Sequence, residues 1–211
     1  MAEYCGDLLD LQDRQLDVLH VRLTEHGTYD THMDCAMAVR APPGQRLTMT
    51  FDWFDIAPGA FQWCTADFLS VFDGELDSKE SIEGLDEKLC GSSPPPSVAS
   101  TGRALTLRFS SNSIEEGKGF SAIFTPFHEG ECDDRSEFGC DNGRCIPRRL
   151  RCDDHDNCGD DSDSSCFLSV TQVVLAVLIT TIIFAVIVGL SILYCNRHKL
   201  KPKDKKVFTT P

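Results

Sequence analysis

The sequence predicts an all-β sandwich over residues 5–127, a small disulfide-held module over 132–166 and one membrane-spanning helix over 167–194. Three observations predict this. Short runs of alternating apolar residues, separated by turn-formers, fill the first segment. Ten of the eleven cysteines precede residue 167, in one spread group of four and one crowded group of six. Residues 167–194 carry no charge and lead straight into a lysine-rich end.

The sandwich rests on period-two patterning. Leu47, Met49, Phe51 and Trp53 alternate, as do Leu105, Leu107 and Phe109, and Phe120, Ala122 and Phe124. Cys35, Met37 and Val39 give a weaker strand, and DFLSVFDG another that ends in an Asp-Gly turn. APPG, APG, SSPPPS and EEGKG break the chain between them. LDLQDRQLDVL, near the start, reads equally as helix or strand. A chain of this length buries a real core, and two disulfides add to it.

Several residues fall in a familiar order. They are Cys5-Gly, Cys35, Phe51 and Phe54, Cys64 and Asp67, Val71 to Gly74, Leu89-Cys90-Gly91, Leu105 to Phe109 and Gly119 to Phe124. This segment resembles a CUB domain, an extracellular jelly-roll-like sandwich. The resemblance implies bridges Cys5–Cys35 and Cys64–Cys90. Many such domains hold calcium with one Glu and two Asp. Here only Asp67 matches; the other two positions read Ala57 and Asn112. Calcium wants six to eight oxygens with net negative charge, so the sandwich is expected to hold none.

The second module packs six cysteines into 35 residues, too few for an unaided core. Only Phe138 and Ile146 stand out as apolar centres. Asp153, Asp154, Asp156, Asp160, Asp161 and Asp163 crowd its second half, and a hard divalent cation would relieve their repulsion. Zinc on the thiols competes, but there is no C-x₂-C pair. F-x-C-x-x-G-x-C-I, then C-D, then N-C-G-D-D-S-D, resembles an LDL-receptor class A repeat. The resemblance implies bridges Cys132–Cys145, Cys140–Cys158 and Cys152–Cys166. It also implies a calcium cage built from the carbonyls of Leu150 and His155 and the side chains of Asp153, Asn157, Asp163 and Ser164. Ser164 stands where a Glu is expected, so binding should be weak. Such repeats capture a partner lysine between cage acids and an aromatic residue. Here those positions read Asp153, His155, Asn157 and Leu150. Binding through another surface and a spacer role both remain open.

Val173 to Leu193 is an apolar run whose helix spans ~30 Å, the thickness of a hydrocarbon core. Arg197, Lys199, Lys201, Lys203, Lys205 and Lys206 follow it, against Arg148, Arg149 and Arg151 before it. The positive-inside rule then places the C-terminus in the cytoplasm. Independently, the cysteines require an oxidising compartment. The expected protein is therefore single-pass in the plasma membrane, N-terminus outside, with a basic tail over 195–211. MAEYCGDLLDLQ shows no leader, so the reading includes a chain truncated or mis-started at its N-terminus. Cys195 reads equally as a palmitoylation site or a plain thiol. Residues 128–131 read as a linker.

Charge divides the same way: −18 over residues 1–166 and +5 over 195–211. An acidic ectodomain excludes nucleic acid as a partner. HExxH, GxSxG and phosphate loops are absent, so no enzyme and no small-molecule substrate are expected. The order of modules resembles that of the neuropilin- and tolloid-like membrane proteins, which are auxiliary channel subunits with two CUB domains. The expected function is a receptor-like or co-receptor protein that binds extracellular or membrane protein partners. A scaffold or adhesion protein, or an auxiliary subunit with no ligand of its own, is the alternative.

Overall fold

The computed structural model describes residues 1–25, 27–59, 63–112, 117–164 and 170–199. It divides into two units, Met1–Cys166 and Phe167–Pro211.

The first unit is built from ten strands: β1 Leu8–Asp10, β2 Leu19–Arg22, β3 Asp34–Arg40, β4 Arg46–Asp55, β5 Phe68–Asp73, β6 Val98–Ala99, β7 Ala104–Ser110, β8 Gly119–Glu129, β9 Glu137–Gly139 and β10 Arg144–Pro147. One sheet runs β1-β3-β7-β5, with β1 parallel to β3. The other runs β6-β4-β8-β10-β9, and β2 also pairs with β8. The alternating residues meet between the sheets: Leu47, Met49, Leu105, Leu107, Phe109, Phe120, Ala122 and Phe124 are all fully buried. Trp53 departs from the expected alternation. A bulge between Phe51 and Trp53 shifts the register, so Phe54 is buried and Trp53 is half-exposed. The ambiguous opening segment is two short strands around a turn. Asp10 Oδ1 accepts the N–H groups of Gln12 and Asp13 there, which ends β1.

The linker expected over 128–131 is partly strand. β8 runs on to Glu129, and β10 adds to its edge through Arg144↔Glu129 and Cys145↔His128. The cysteine-rich module is therefore a continuation of the sandwich's sheet. Its core explains why. Phe138 is only half-buried, and Ile146 packs with Leu150, Cys140, Cys158 and Phe127, the last contributed by β8. Arg46 and Arg144 each lie over the Phe127 ring, 5.0 and 4.9 Å from its centroid.

Disulfides join Cys5–Cys35, Cys64–Cys90, Cys132–Cys145 and Cys140–Cys158. Cys152 is disulfide-bonded, and Cys166, its expected partner, lies outside the described residues.

The second unit contains one helix, α1, Val170–Lys199. Its stretch Val174–Asn196 has a mean hydropathy of 2.8 and is long and apolar enough to cross a membrane. Thr180, Thr181 and Ser191 donate their hydroxyls to carbonyls of the same helix, so these polar groups need no water. Cys195 is exposed with a free thiol. The tail beyond Lys199 lies outside the described residues.

Candidate functional site

Five of the six predicted cage residues converge. Asn157 is buried, and its Nδ2 lies 2.9 Å from Asp153 Oδ1, 3.1 Å from the Leu150 carbonyl and 3.3 Å from the His155 carbonyl. Asp163 is wholly buried. Its Oδ2 accepts the Asn157 N–H at 2.9 Å and its carbonyl accepts the Cys152 N–H at 3.1 Å. Ser164 is exposed in the 3-10 turn Ser162–Ser164, its N–H on the Asp161 carbonyl. Cys152, Asp154 and Asp161 have φ of 71°, 69° and 60°, which curls the loop about this point.

The donor set fits a calcium ion. Three oxygens surround an amide that has only two hydrogens to give, whereas a hard cation serves all of them. Asn157 Oδ1 points the other way and accepts the Thr125 hydroxyl at 3.0 Å. Half a turn of the amide would put Oδ1 among the cage oxygens and Nδ2 on Thr125, whose hydroxyl accepts as well as it donates.

The same loop is the module's docking face. Thr50 Oγ1 donates to the Asp156 carbonyl at 2.8 Å, Ser97 Oγ to the Gly159 carbonyl at 2.6 Å and Arg144 Nη1, from the module, to Thr48 Oγ1 at 3.4 Å. Arg149 pairs with Asp17. Thr48, Thr50 and Thr125, on the outer sheet face, are buried beneath it. Burial pushes the Asp156 carboxyl up, against the N–H groups of Asp161 and Gly159 that its Oδ1 accepts. Leu150, which stands at the aromatic position of such repeats, is 5% exposed and part of the core.

At one end of the sandwich, Asp67 is fully buried. Its Oδ2 accepts the Tyr29 hydroxyl at 2.6 Å and its Oδ1 the Asn112 N–H at 2.7 Å. Ala57 turns its backbone N–H to the Tyr29 oxygen at 3.0 Å. Burial, and then the bond to Asp67, raise the Tyr29 hydroxyl far above its ordinary range. Both carboxylate oxygens already accept protein donors, and Ala57 presents a donor where a cation would need an oxygen. Among the described residues, the three expected positions supply a single carboxylate, too thin a set for calcium.

A third group lies where the module meets the sheet. His155 Nδ1 donates to Asp52 Oδ1 at 3.0 Å, and the His20 ring stands 4.7 Å from the His155 ring at 61°. Burial, and then His155, lower the His20 pKa.

Sequence reasoning missed Tyr29, Thr125 and this histidine pair. It also passed over Trp63, which is 76% exposed beside the Cys64–Cys90 bridge. The polar alternation of TMT and FTP carried no signal for this covered outer face, since a solvated sheet face alternates in the same way.

A family model described as the CUB domain matches residues 19–124. The chain is 36% identical over 107 residues to Tolloid-like protein 1 of Mus musculus, covering 51% of this chain and 10% of that protein. It is 32% identical over 117 residues to Neuropilin-2 of Rattus norvegicus, covering 54% of this chain and 12% of that one. The chain thus spans only about a tenth of the length of these relatives. A crystal structure of the MASP-1 CUB2 domain bound to Ca2+ aligns at 17% identity with a TM-score of 0.46, covering 57% of this chain and 98% of that one. The match spans half of the sequence and takes in β2 to β7 and the first half of β8, from both sheets, and the chain belongs to the CUB domain family, whose domain is a non-catalytic binding module.

Proposed function

We propose that this is a single-pass cell-surface protein, N-terminus outside, that binds extracellular or membrane protein partners through its CUB sandwich. In this reading residues 132–166 are an LDL-receptor class A repeat that serves as a calcium-held brace. One observation carries it: the loop that would face a partner lysine is turned onto the sandwich. Asn157 is 1% exposed and bonded to Thr125, and the His155 ring is bonded to Asp52. A lysine cannot reach a cage that is roofed by a sheet.

Binding then falls to the sandwich. Among the described residues of the first unit, Trp63 is the most exposed large apolar side chain. Aromatic anchors of this kind dominate interface energetics. Helix α1 crosses the membrane and residues 195–211 hold the inner leaflet with their lysines. Calcium, when bound, neutralises Asp153 and Asp163 and fixes the loop.

Proximity labelling on intact cells tests this, comparing the full chain with Trp63→Ala. The expected result is loss of a specific set of surface proteins with no change in thermal midpoint. An unchanged set of labelled proteins overturns the assignment to this end. It would favour lateral contact through the helix, as in an auxiliary subunit.

A further inference from the structure

The outer face of the second sheet carries a group of side chains whose ligating atoms take no part in the calcium cage. His20 on β2, Asp52 on β4 and His155 in the loop of the second module each offer one ligand atom, and these atoms all lie within 4.8 Å of one another. We infer that His20, Asp52 and His155 form a zinc site that ties the second module to the sandwich, separate from the oxygen cage.

The backbone places them. β2 and β4 flank β8, and His20 and Thr50 both pair with Ile123. Asp52 sits at the β4 bulge, where the extra residue leaves the ladder and its side chain turns outward. The module's loop then lowers His155 onto this spot, because Thr50 holds the neighbouring Asp156 carbonyl.

The chemistry suits zinc. Two imidazoles and one carboxylate are a common three-ligand set, with the fourth position left to water. Calcium and magnesium prefer all-oxygen sites. The 3.0 Å from His155 Nδ1 to Asp52 Oδ1 is near the edge, roughly 3.3 Å, of a tetrahedron with bonds of about 2.0 Å. On binding, the Nδ1 proton moves to Nε2 and the ion takes its place between nitrogen and oxygen. The His20 ring lies edge-on to that of His155, so a modest rotation brings its nitrogen to the same ion. A supporting bond is already present: Ser121, 1% exposed, donates its hydroxyl to Asp52 Oδ2 at 3.0 Å. Such outer partners orient ligating carboxylates. His155 would then serve two ions, with its carbonyl in the cage and its ring in this site.

The test uses the untagged full chain in detergent, with calcium in excess so that the cage does not compete for zinc. Equilibrium dialysis should return one zinc per chain. Cobalt should give the visible d–d bands of a tetrahedral site with no sulfur charge-transfer band. His20→Asn and His155→Asn should each abolish binding, and Ser121→Ala should weaken it by about tenfold. His128→Asn, at the other histidine–carboxylate contact, should leave it intact. His20 is exposed, so His20→Asn should keep the metal-free thermal midpoint, which separates lost ligation from lost folding. No zinc uptake at micromolar metal overturns the inference. So does zinc that survives both His20→Asn and His155→Asn, or that is lost with His128→Asn.

Discussion

Adding one methyl group at Gly159 should show whether the second module is docked or merely tethered. Gly159 has φ of +80°, and a Cβ there would meet Arg144 Nη1 and Thr48 Cγ2 at 2.9 Å and Ser97 Cβ at 3.4 Å. The guanidinium can swing aside. Thr48 cannot, because it is buried on a central strand. Gly143 is the matched control: it lies in the same module with φ of +81° and nothing within 4 Å of its Cβ. Gly143→Ala should cost about 1 kcal/mol, the left-handed backbone term alone. Gly159→Ala carries that term plus overpacking of about 1–3 kcal/mol. It also strains the Ser97 and Arg144 hydrogen bonds, each worth about 1 kcal/mol. The expected total is about 2–6 kcal/mol, the upper end applying if both bonds are lost. The assay is urea unfolding followed by tryptophan fluorescence, since both tryptophans, Trp53 and Trp63, lie in the sandwich. Gly159→Ala should lower that midpoint well below Gly143→Ala, with the slope unchanged. Equal midpoints for the two variants would refute docking.

Three further outcomes follow from the same contacts. Removing calcium with a selective chelator should lower the tryptophan midpoint, by up to ~2.7 kcal/mol if free calcium had stood at about 100 times its dissociation constant; Asp163→Asn should erase the difference. Tyr29→Phe keeps the edge-on contact with Phe109 but takes a donor from the buried Asp67, at a cost of about 1–3 kcal/mol in the urea midpoint. His128 Nε2 donates to Glu137 Oε1 at 2.9 Å, and the bond raises the His128 pKa. The Asp133 N–H is the chief cause that lowers Glu137, with His128 adding to it. A raised histidine stabilises below its unfolded pKa and loses that contribution as pH rises through its folded value; a lowered glutamate does the reverse. The pair therefore helps most between about pH 4.5 and 6.5, and the midpoint gap between wild type and His128→Gln should be larger near pH 6 than near pH 8.

The sandwich was legible because its core strands obey a strict period. Leu105, Leu107 and Phe109 share one face only in a strand, and the structure buries all three. Where the period was read past a bulge, at Trp53, it failed, since one inserted residue reverses which face a side chain takes. The convergence of Leu150, Asp153, His155, Asn157 and Asp163 was legible only through the resemblance to an LDL-receptor class A repeat, which implied those positions. The docking was not. Thr48, Thr50 and Thr125 look like the polar side of an exposed sheet, and only a covering partner distinguishes that from a buried hydroxyl seam. Neither was Tyr29, whose hydroxyl meets Asp67 across 38 residues of chain.

The seam also settles what kind of brace the second module can be. Two of its hydrogen bonds to the sandwich run from a hydroxyl to a loop carbonyl: Thr50 to Asp156 and Ser97 to Gly159. Backbone carbonyls keep their positions only while the loop keeps its path. That path is set by the Asn157 amide, which also holds Thr125, and by the buried Asp163. Whatever fixes the cage therefore fixes the seam, and whatever loosens the cage uncovers three threonines on the outer face of β4 and β8. Phe127 adds the apolar part of the same argument, since it is buried by residues of both modules and flanked by Arg46 and Arg144. A module with only Ile146, Leu150 and two half-cystines for its own centre gains a large aromatic ring by docking. A piece of this size that shares its core with its neighbour is stabilised by docking, so loss of the cage should be felt as loss of stability in the sandwich itself.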